Sequence, residues 1–265
     1  MNKPLFISRL LTAGAALLSS CVAVYVPTTP STPLLERGQV EVTAGLRSIR
    51  YGEVGAAWSP VNHLLVTGEL AADLATSTST STNGQGVATT YTDSHRQGGV
   101  GVGYYLPPGT TRKTYLAAVA GTGWGSSHLY AFEDFKAASV FFPFPVPTRN
   151  GVYDARYRRY YGQVYFAGPA DEKGRQFGAS LRTVWLDYTH LTFADQPIAP
   201  ANRVFLEPSV FMRFGKGPLR FFATAGLSMP LSSDPANPAN ARTASMSYLF
   251  SGGLVLRPDL LRHRE

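Results

Sequence analysis

The side chains that could act on a substrate fall into a few groups. Asp93-Ser94-His95 and Asp187-Tyr188-Thr189-His190 each set a carboxylate beside an imidazole in sequence. That pairing can activate water if the base comes within hydrogen-bond reach of its proton. Glu53, Glu69, Arg182 and Glu207 stand at the polar positions of runs whose alternate residues are apolar. Such charges either satisfy one another inside an enclosed interior or line a polar lumen that binds or passes a small solute. An unpaired buried charge is very costly, so the mutually satisfied network is the expected arrangement. Arg156-Tyr157-Arg158-Arg159-Tyr160-Tyr161 interleaves cations and aromatics, a composition that can stack single-stranded nucleic acid. In an exported chain a basic aromatic rim that meets lipid phosphates explains it better, and no nucleic-acid partner is expected. Gly99-Val100-Gly101-Val102-Gly103 is one parity of a strand, not a nucleotide motif. No phosphate-binding glycine loop, zinc-ligand spacing or nucleophile elbow occurs. The expectation is therefore a non-enzyme with no catalytic residue, metal or cofactor.

The single cysteine, Cys21, rules out an intrachain disulfide framework. Its position is informative. Lys3 and Arg9 precede the apolar run Leu10 to Leu18, which small residues follow. This reads as a secretory signal whose core is too short to span a bilayer as a helix. Leu18-Ser19-Ser20-Cys21 resembles the bacterial lipoprotein lipobox. The resemblance implies cleavage before Cys21, acylation of its sulfur and new amino terminus, and, with Val22 rather than Asp next, sorting to the outer membrane. Each buried acyl methylene adds about 0.8 kcal/mol of anchoring. Residues 22 to 38 hold Pro27, Pro30 and Pro33 among Thr and Ser, the composition of an extended tether.

The remainder reads as strands. Arg203 to Met229 forms two alternating runs about Gly215-Lys216-Gly217-Pro218, a hairpin signal. One parity is wholly apolar (Leu206, Val210, Phe221, Leu227); the other mixes Glu207, Arg213, Arg220 and Thr224 with aromatics and glycine. Each run has the ~10 residues that a tilted strand needs to cross a bilayer. Similar runs occur at Gln39–Arg47, Tyr51–Trp58, His63–Ala71, Gln97–Leu106, Thr114–Trp124, Arg159–Ala167, Gln176–Tyr188 and Ala244–Leu256, which makes about ten strands. Residues 72 to 94 and 125 to 158 read as long loops, with Val140 to Pro147 either folded over the barrel mouth, the arrangement favoured because exposed apolar patches of that size are rare, or exposed as a contact for a partner, and 189 to 202 as a loop of moderate length. Short connections alternate with long ones, apart from the first hairpin. An even strand count brings both ends to the short-turn rim, where the tether would place Cys21. Tyr51, Trp58, Tyr104, Tyr105, Tyr115, Trp124, Tyr160, Tyr161, Trp185 and Tyr188 lie near strand ends, as interfacial aromatic girdles do.

This layout resembles a small bacterial outer-membrane β-barrel protein with a lipoprotein signal peptide, of the kind common in Bacteroidota-like bacteria. The expected architecture is all-β, an antiparallel up-and-down transmembrane barrel, with 1–20 as signal peptide, 21–38 as acylated linker, 39–256 as barrel and 257–265 as tail. The tail departs from the aromatic terminus of many such barrels. The formal net charge of +7, reduced by two without Lys3 and Arg9, favours anionic surfaces. Membrane lipid is the expected partner, with lipopolysaccharide as a further candidate, and the chain is expected to be a monomer. The Asp/His groups loosely resemble the rim of the omptin proteases, which are ten-strand barrels, although their spacing differs. The competing class is a soluble periplasmic lipoprotein whose β-rich domain binds a small ligand. The parity that faces outward separates the two.

Overall fold

A computed structural model of the chain describes residues 24–47, 50–74, 77–82, 88–109, 113–131, 151–199, 202–231, 243 and 246–261. The strands, in chain order, are β1 (Val40–Arg47), β2 (Tyr51–Trp58), β3 (Leu64–Asp73), β4 (Ser77–Thr82), β5 (Ala88–Leu106), β6 (Tyr115–Ala131), β7 (Gly151–Ala167), β8 (Gln176–Phe193), β9 (Gln196–Pro197), β10 (Arg203–Phe214), β11 (Leu219–Pro230) and β12 (Ser247–Leu256). β4 pairs only with the upper part of β5, and β9 only with the end of β8; the other ten pair in sequence order, all antiparallel. β1 closes on β12 from Val42↔Leu256 to Arg47↔Ser251, so the ten strands form a closed barrel, and among the described residues only the short β4 and β9 are paired on one side alone.

The alternating pattern sets the faces. Outward parity carries Val54, Val66, Leu70, Val100, Val102, Val164, Leu181, Val210, Phe221 and Leu254, all well exposed. Inward parity carries Glu41, Arg159, Arg182, Glu207 and Arg213, all buried. Phe221 is 51% exposed and Leu254 40%, against 0% for Arg182 and Glu207. The barrel is thus apolar outside and charged inside.

The wall strands are those that the alternation predicts, but several run further than it marks. β5 reaches back to Ala88, β6 on to Ala131, β7 back to Gly151 and β8 on to Phe193, so β5–β8 rise above their neighbours. The Ser/Thr stretch expected to be loop instead pairs with β5, Ser77↔Asp93 to Thr82↔Ala88. β-Branched threonine suits a pleated strand even where no apolar alternation marks it. The moderate loop after Tyr188 contains the end of β8 and a tight reversal at Ala194 and Asp195, both at positive φ (49° and 60°). The Val140 to Pro147 segment lies outside the described residues.

Inward glycines on β5 and β6 make room for long side chains arriving from β7. A Cβ at Gly121 would lie 2.3 Å from the Tyr161 ring, and one at Gly125 2.3 Å from the Tyr157 ring. Cβ atoms at Gly99 and Gly123 would each meet the Arg159 guanidinium at 2.9 Å. Gly162, on the outward face, has nothing within 4 Å of its Cβ site. Gly121→Ala should therefore destabilise the barrel by about 1–3 kcal/mol through overpacking, while Gly162→Ala should be nearly neutral. Urea unfolding of both variants in the same detergent checks the contrast.

Candidate functional site

The lumen is occupied by the chain's own N-terminal segment. Residues 24–38 form no regular element, yet Val24, Tyr25, Val26, Thr28, Thr32 and Leu35 are buried. The segment turns into β1 at the short-turn rim, where Gly38 (φ 78°) donates its N–H to the Ser59 carbonyl at 2.7 Å. It was expected to hang from that rim as a tether, but it runs inside the wall. It lies parallel to β7 and in step with it: Tyr25 meets Tyr157, Ser31 meets Gln163 and Pro33 meets Tyr165, each pair 132 residues apart.

An extended strand with no ladder leaves its backbone groups unpaired. Here the wall side chains pair them. Gln97 Nε2 donates to the Val26 carbonyl (2.6 Å), Gln163 Nε2 to Ser31 (2.7 Å), Arg213 Nη2 to Thr32 (2.6 Å), Tyr165 to Pro33 (2.6 Å) and Tyr115 to Leu35 (3.1 Å). Arg182 Nη2 donates to the Thr28 carbonyl. In the other direction, Thr29 N–H donates to Glu53 Oε1 at 3.1 Å. Six carbonyls are thus held by donors from β5, β6, β7, β8 and β10. These contacts read the extended backbone, and only Tyr25 and Thr28 add side-chain bonds to the wall.

At mid-height the charges form one connected group. Glu207 accepts from Arg182 Nε (2.6 Å), Ser228 Oγ (2.9 Å) and Tyr25 Oη (3.1 Å). Glu69 pairs with Arg159 and lies 3.7 Å from Arg182 Nη1, and both arginines donate to Thr28 Oγ1 (3.0 and 3.2 Å). Glu69, Arg182 and Glu207 therefore come together as the alternation suggested. Glu53 stands apart from them, paired with Arg47 at 3.2 Å. Nearer the short turns, Arg213 binds Glu41 with two bonds of 2.7 and 2.8 Å. Arg159 and Arg47 were not among the charges singled out from the sequence. Arg159 sat in a motif read as a basic surface, although its parity with Tyr157 and Tyr161 places it inside. A crevice of about 50 Å³ remains between the segment and the β1–β2–β11 wall, lined by Thr29, Thr43, Glu53 and Thr224. That is room for a few waters.

The other candidates separate. Asp93 and His95 are buried on the inner side, where Asp93 accepts from Tyr130 N–H at 2.8 Å. Asp187 shares the outward parity of Trp185, and His190, past the β-bulge at Arg156/Tyr157, is exposed. The two pairs lie on opposite sides of the wall, and an omptin-like constellation is not assembled. The basic aromatic motif is divided in the same way: Tyr157, Arg159 and Tyr161 face the lumen, while Arg156, Arg158 and Tyr160 face out. Of the expected girdle, Trp58, Tyr104, Trp124, Tyr160 and Trp185 are exposed, but Tyr105, Tyr115, Tyr161 and Tyr188 are buried inside. Alternation, not proximity to a strand end, decides the side.

Among the described residues no group of three or more His, Cys, Asp or Glu side chains is placed to hold a metal ion. Removing Arg182 alone would leave the buried Glu207 without a cation, while Glu69 keeps Arg159. Arg182→Met should cost about 3–5 kcal/mol, with part of the loss recovered when Glu207→Gln is added; a double-mutant unfolding cycle in detergent measures the coupling. In comparisons with known proteins, no family model and no curated sequence matches the chain.

Proposed function

We propose that this chain is a bacterial outer-membrane barrel, further anchored by acyl groups on Cys21, with a structural or surface-interaction role and no catalytic one. The carrying observation is the character of the outer wall. Between Phe177 and Trp185 on β8, and between Phe166 and Tyr160 on β7, every outward position is apolar, glycine or threonine. Phe177 and Trp185 are eight positions apart, which is about 26 Å along a strand at ~3.3 Å per residue. At the ~40° tilt of such barrels this is about 20 Å along the axis, near the height of a lipid-facing band. Trp58, Tyr104, Phe166 and Phe177 edge it toward the short turns, and Trp124, Tyr160 and Trp185 edge it on the other side.

Outward charge begins directly above the upper aromatics, with Arg96, Arg156 and Arg158. Guanidinium groups at that level suit lipid phosphates, including those of lipopolysaccharide. A threaded lumen with a crevice of about 50 Å³ favours a structural part over a wide pore. The ten wall strands close on one another and leave no edge within the ring on which a second copy could extend the sheet, in keeping with a monomer.

The competing reading, a soluble periplasmic lipoprotein with a ligand-binding β domain, makes the opposite demand on the outer wall. Leu181 lies midway between the aromatic bands and His190 lies above them; both are exposed. In a membrane, Leu181→Arg should cost about 2–4 kcal/mol and sharply reduce the folded protein recovered in outer-membrane fractions, while His190→Arg should leave recovery unchanged. Equal recovery of both variants, together with a barrel that stays soluble without detergent once the leader and Cys21 are removed, would favour the soluble reading.

A further inference from the structure

The even strand count puts residue 40 and Leu256 at the short-turn rim, the simplest place for the anchor. The described path leads elsewhere. Moving from Gly38 toward the N-terminus, the contacts climb the wall. Leu35 meets Tyr115, the first residue of β6 above the short turn; Pro33 meets Tyr165, two residues inside the end of β7. Thr28 meets Arg159 and Arg182 at mid-height, and Tyr25 packs on Tyr157 and on Phe205, which lies near the long-loop end of β10. Val24 is wholly buried at this upper level. From Val24 to Cys21 is three residues, about 10 Å of fully extended chain. A return to the short-turn rim would need about as many residues as the descent from Val24 to Leu35, through a lumen that the descent already fills.

A second feature agrees. The long-loop rim is lowest at the β1–β2 connection, since β1 and β2 have eight residues each against seventeen in β7 and eighteen in β8. Below that notch the outer wall is hollowed. Small residues Ala44, Gly52 and Gly252 floor an apolar depression bounded by Leu46, Leu70 and Leu74. Its apolar lining suits a hydrocarbon chain that arrives over the notch from the barrel mouth.

We infer that the chain passes through its own barrel, so that lipid carried on Cys21 lies at the long-loop mouth and enters the bilayer leaflet on that side, opposite the short turns. This rests on the outer-membrane, acylated reading above. In outer-membrane barrels the long loops face the cell exterior and the short turns the periplasm, so the anchor belongs to the surface-facing leaflet.

The test uses the full-length protein in cells and a membrane-impermeant maleimide. Three variants carry a reporter thiol: a Gly-Ser-Cys-Gly-Ser insert between Val22 and Ala23, Asp195→Cys at the long-loop rim, and Lys173→Cys in a short turn. The expected result is that the insert and Asp195→Cys label on intact cells to a similar extent, and Lys173→Cys only after permeabilisation. An insert that behaves like Lys173→Cys, or that fails to label on intact cells, overturns the inference while the barrel reading stands. If Asp195→Cys also labels only after permeabilisation, the outer-membrane reading falls, and this inference with it. Mass spectrometry of the N-terminal peptide separates the remaining case: an unmodified Cys21 removes the lipid, and with it this inference, but not the barrel.

Discussion

The fold depends on satisfying buried hydrogen-bond donors inside a cylinder whose exterior offers no help. Arg159, Arg182 and Arg213 are fully enclosed, and their fifteen N–H groups exceed what Glu41, Glu69 and Glu207 can accept at these positions. The segment threaded through the lumen supplies part of the difference, giving a Thr28 hydroxyl and the carbonyls of Thr28 and Thr32 to those arginines. The need is reciprocal, because an extended chain without a ladder would itself strand carbonyls in a dry space. Neither partner would be stable in that environment alone. The ion pairs by themselves would be weak support for stability; the further bonds to the segment are what make the charged interior tenable, although Arg159 Nε still meets no acceptor.

Space is allotted by the same logic. β5 and β6 present glycine inward at Gly99, Gly101, Gly121, Gly123 and Gly125, so that side of the wall is thin. The volume released is taken by Tyr157, Arg159 and Tyr161 of β7, and these side chains bear on Tyr25 and Thr28. A Cβ on the glycine side would push the arginine and tyrosines toward the segment, so the glycine parity and the threaded backbone are parts of one packing arrangement.

Much of this was legible in the sequence because a period of two is simple to read and, with the turn at Gly215-Lys216-Gly217-Pro218, fixes which residues share a face. The wall strands and the shared polar face of Glu53, Glu69, Arg182 and Glu207 follow from alternation alone, while the outward direction of the apolar parity is fixed only by closure of the barrel. Where the reading failed, it used composition in place of parity. Tyr105, Tyr115, Tyr161 and Tyr188 were set in the girdle for their position near strand ends, although their neighbours Tyr104, Tyr160 and Trp185 already occupied the outward parity. The Arg156 to Tyr161 motif was read as one surface for the same reason. The threaded segment was not legible, since the wall holds it mainly by its backbone and Pro, Thr and Ser would serve an external tether equally well. A faint signal existed: the inward parities hold several Gln, Tyr and Arg donors with few acceptors to meet them, and such an interior has to be completed by something else.

A backbone enclosed by a continuous hydrogen-bonded wall cannot be inserted afterwards without opening that wall. The β1–β12 seam, which joins strands near the two ends of the barrel sequence, must therefore close around a segment already lying along β7. The contacts that hold it link residues 24 to 182 positions apart, and the longest of these loops form slowly. The order of events is consequently constrained: capture of residues 24–35 precedes ring closure. A chain whose seam zips early would be trapped with an empty, unsatisfied bore and an N-terminus left outside it, a kinetic dead end that only reopening of the seam could relieve.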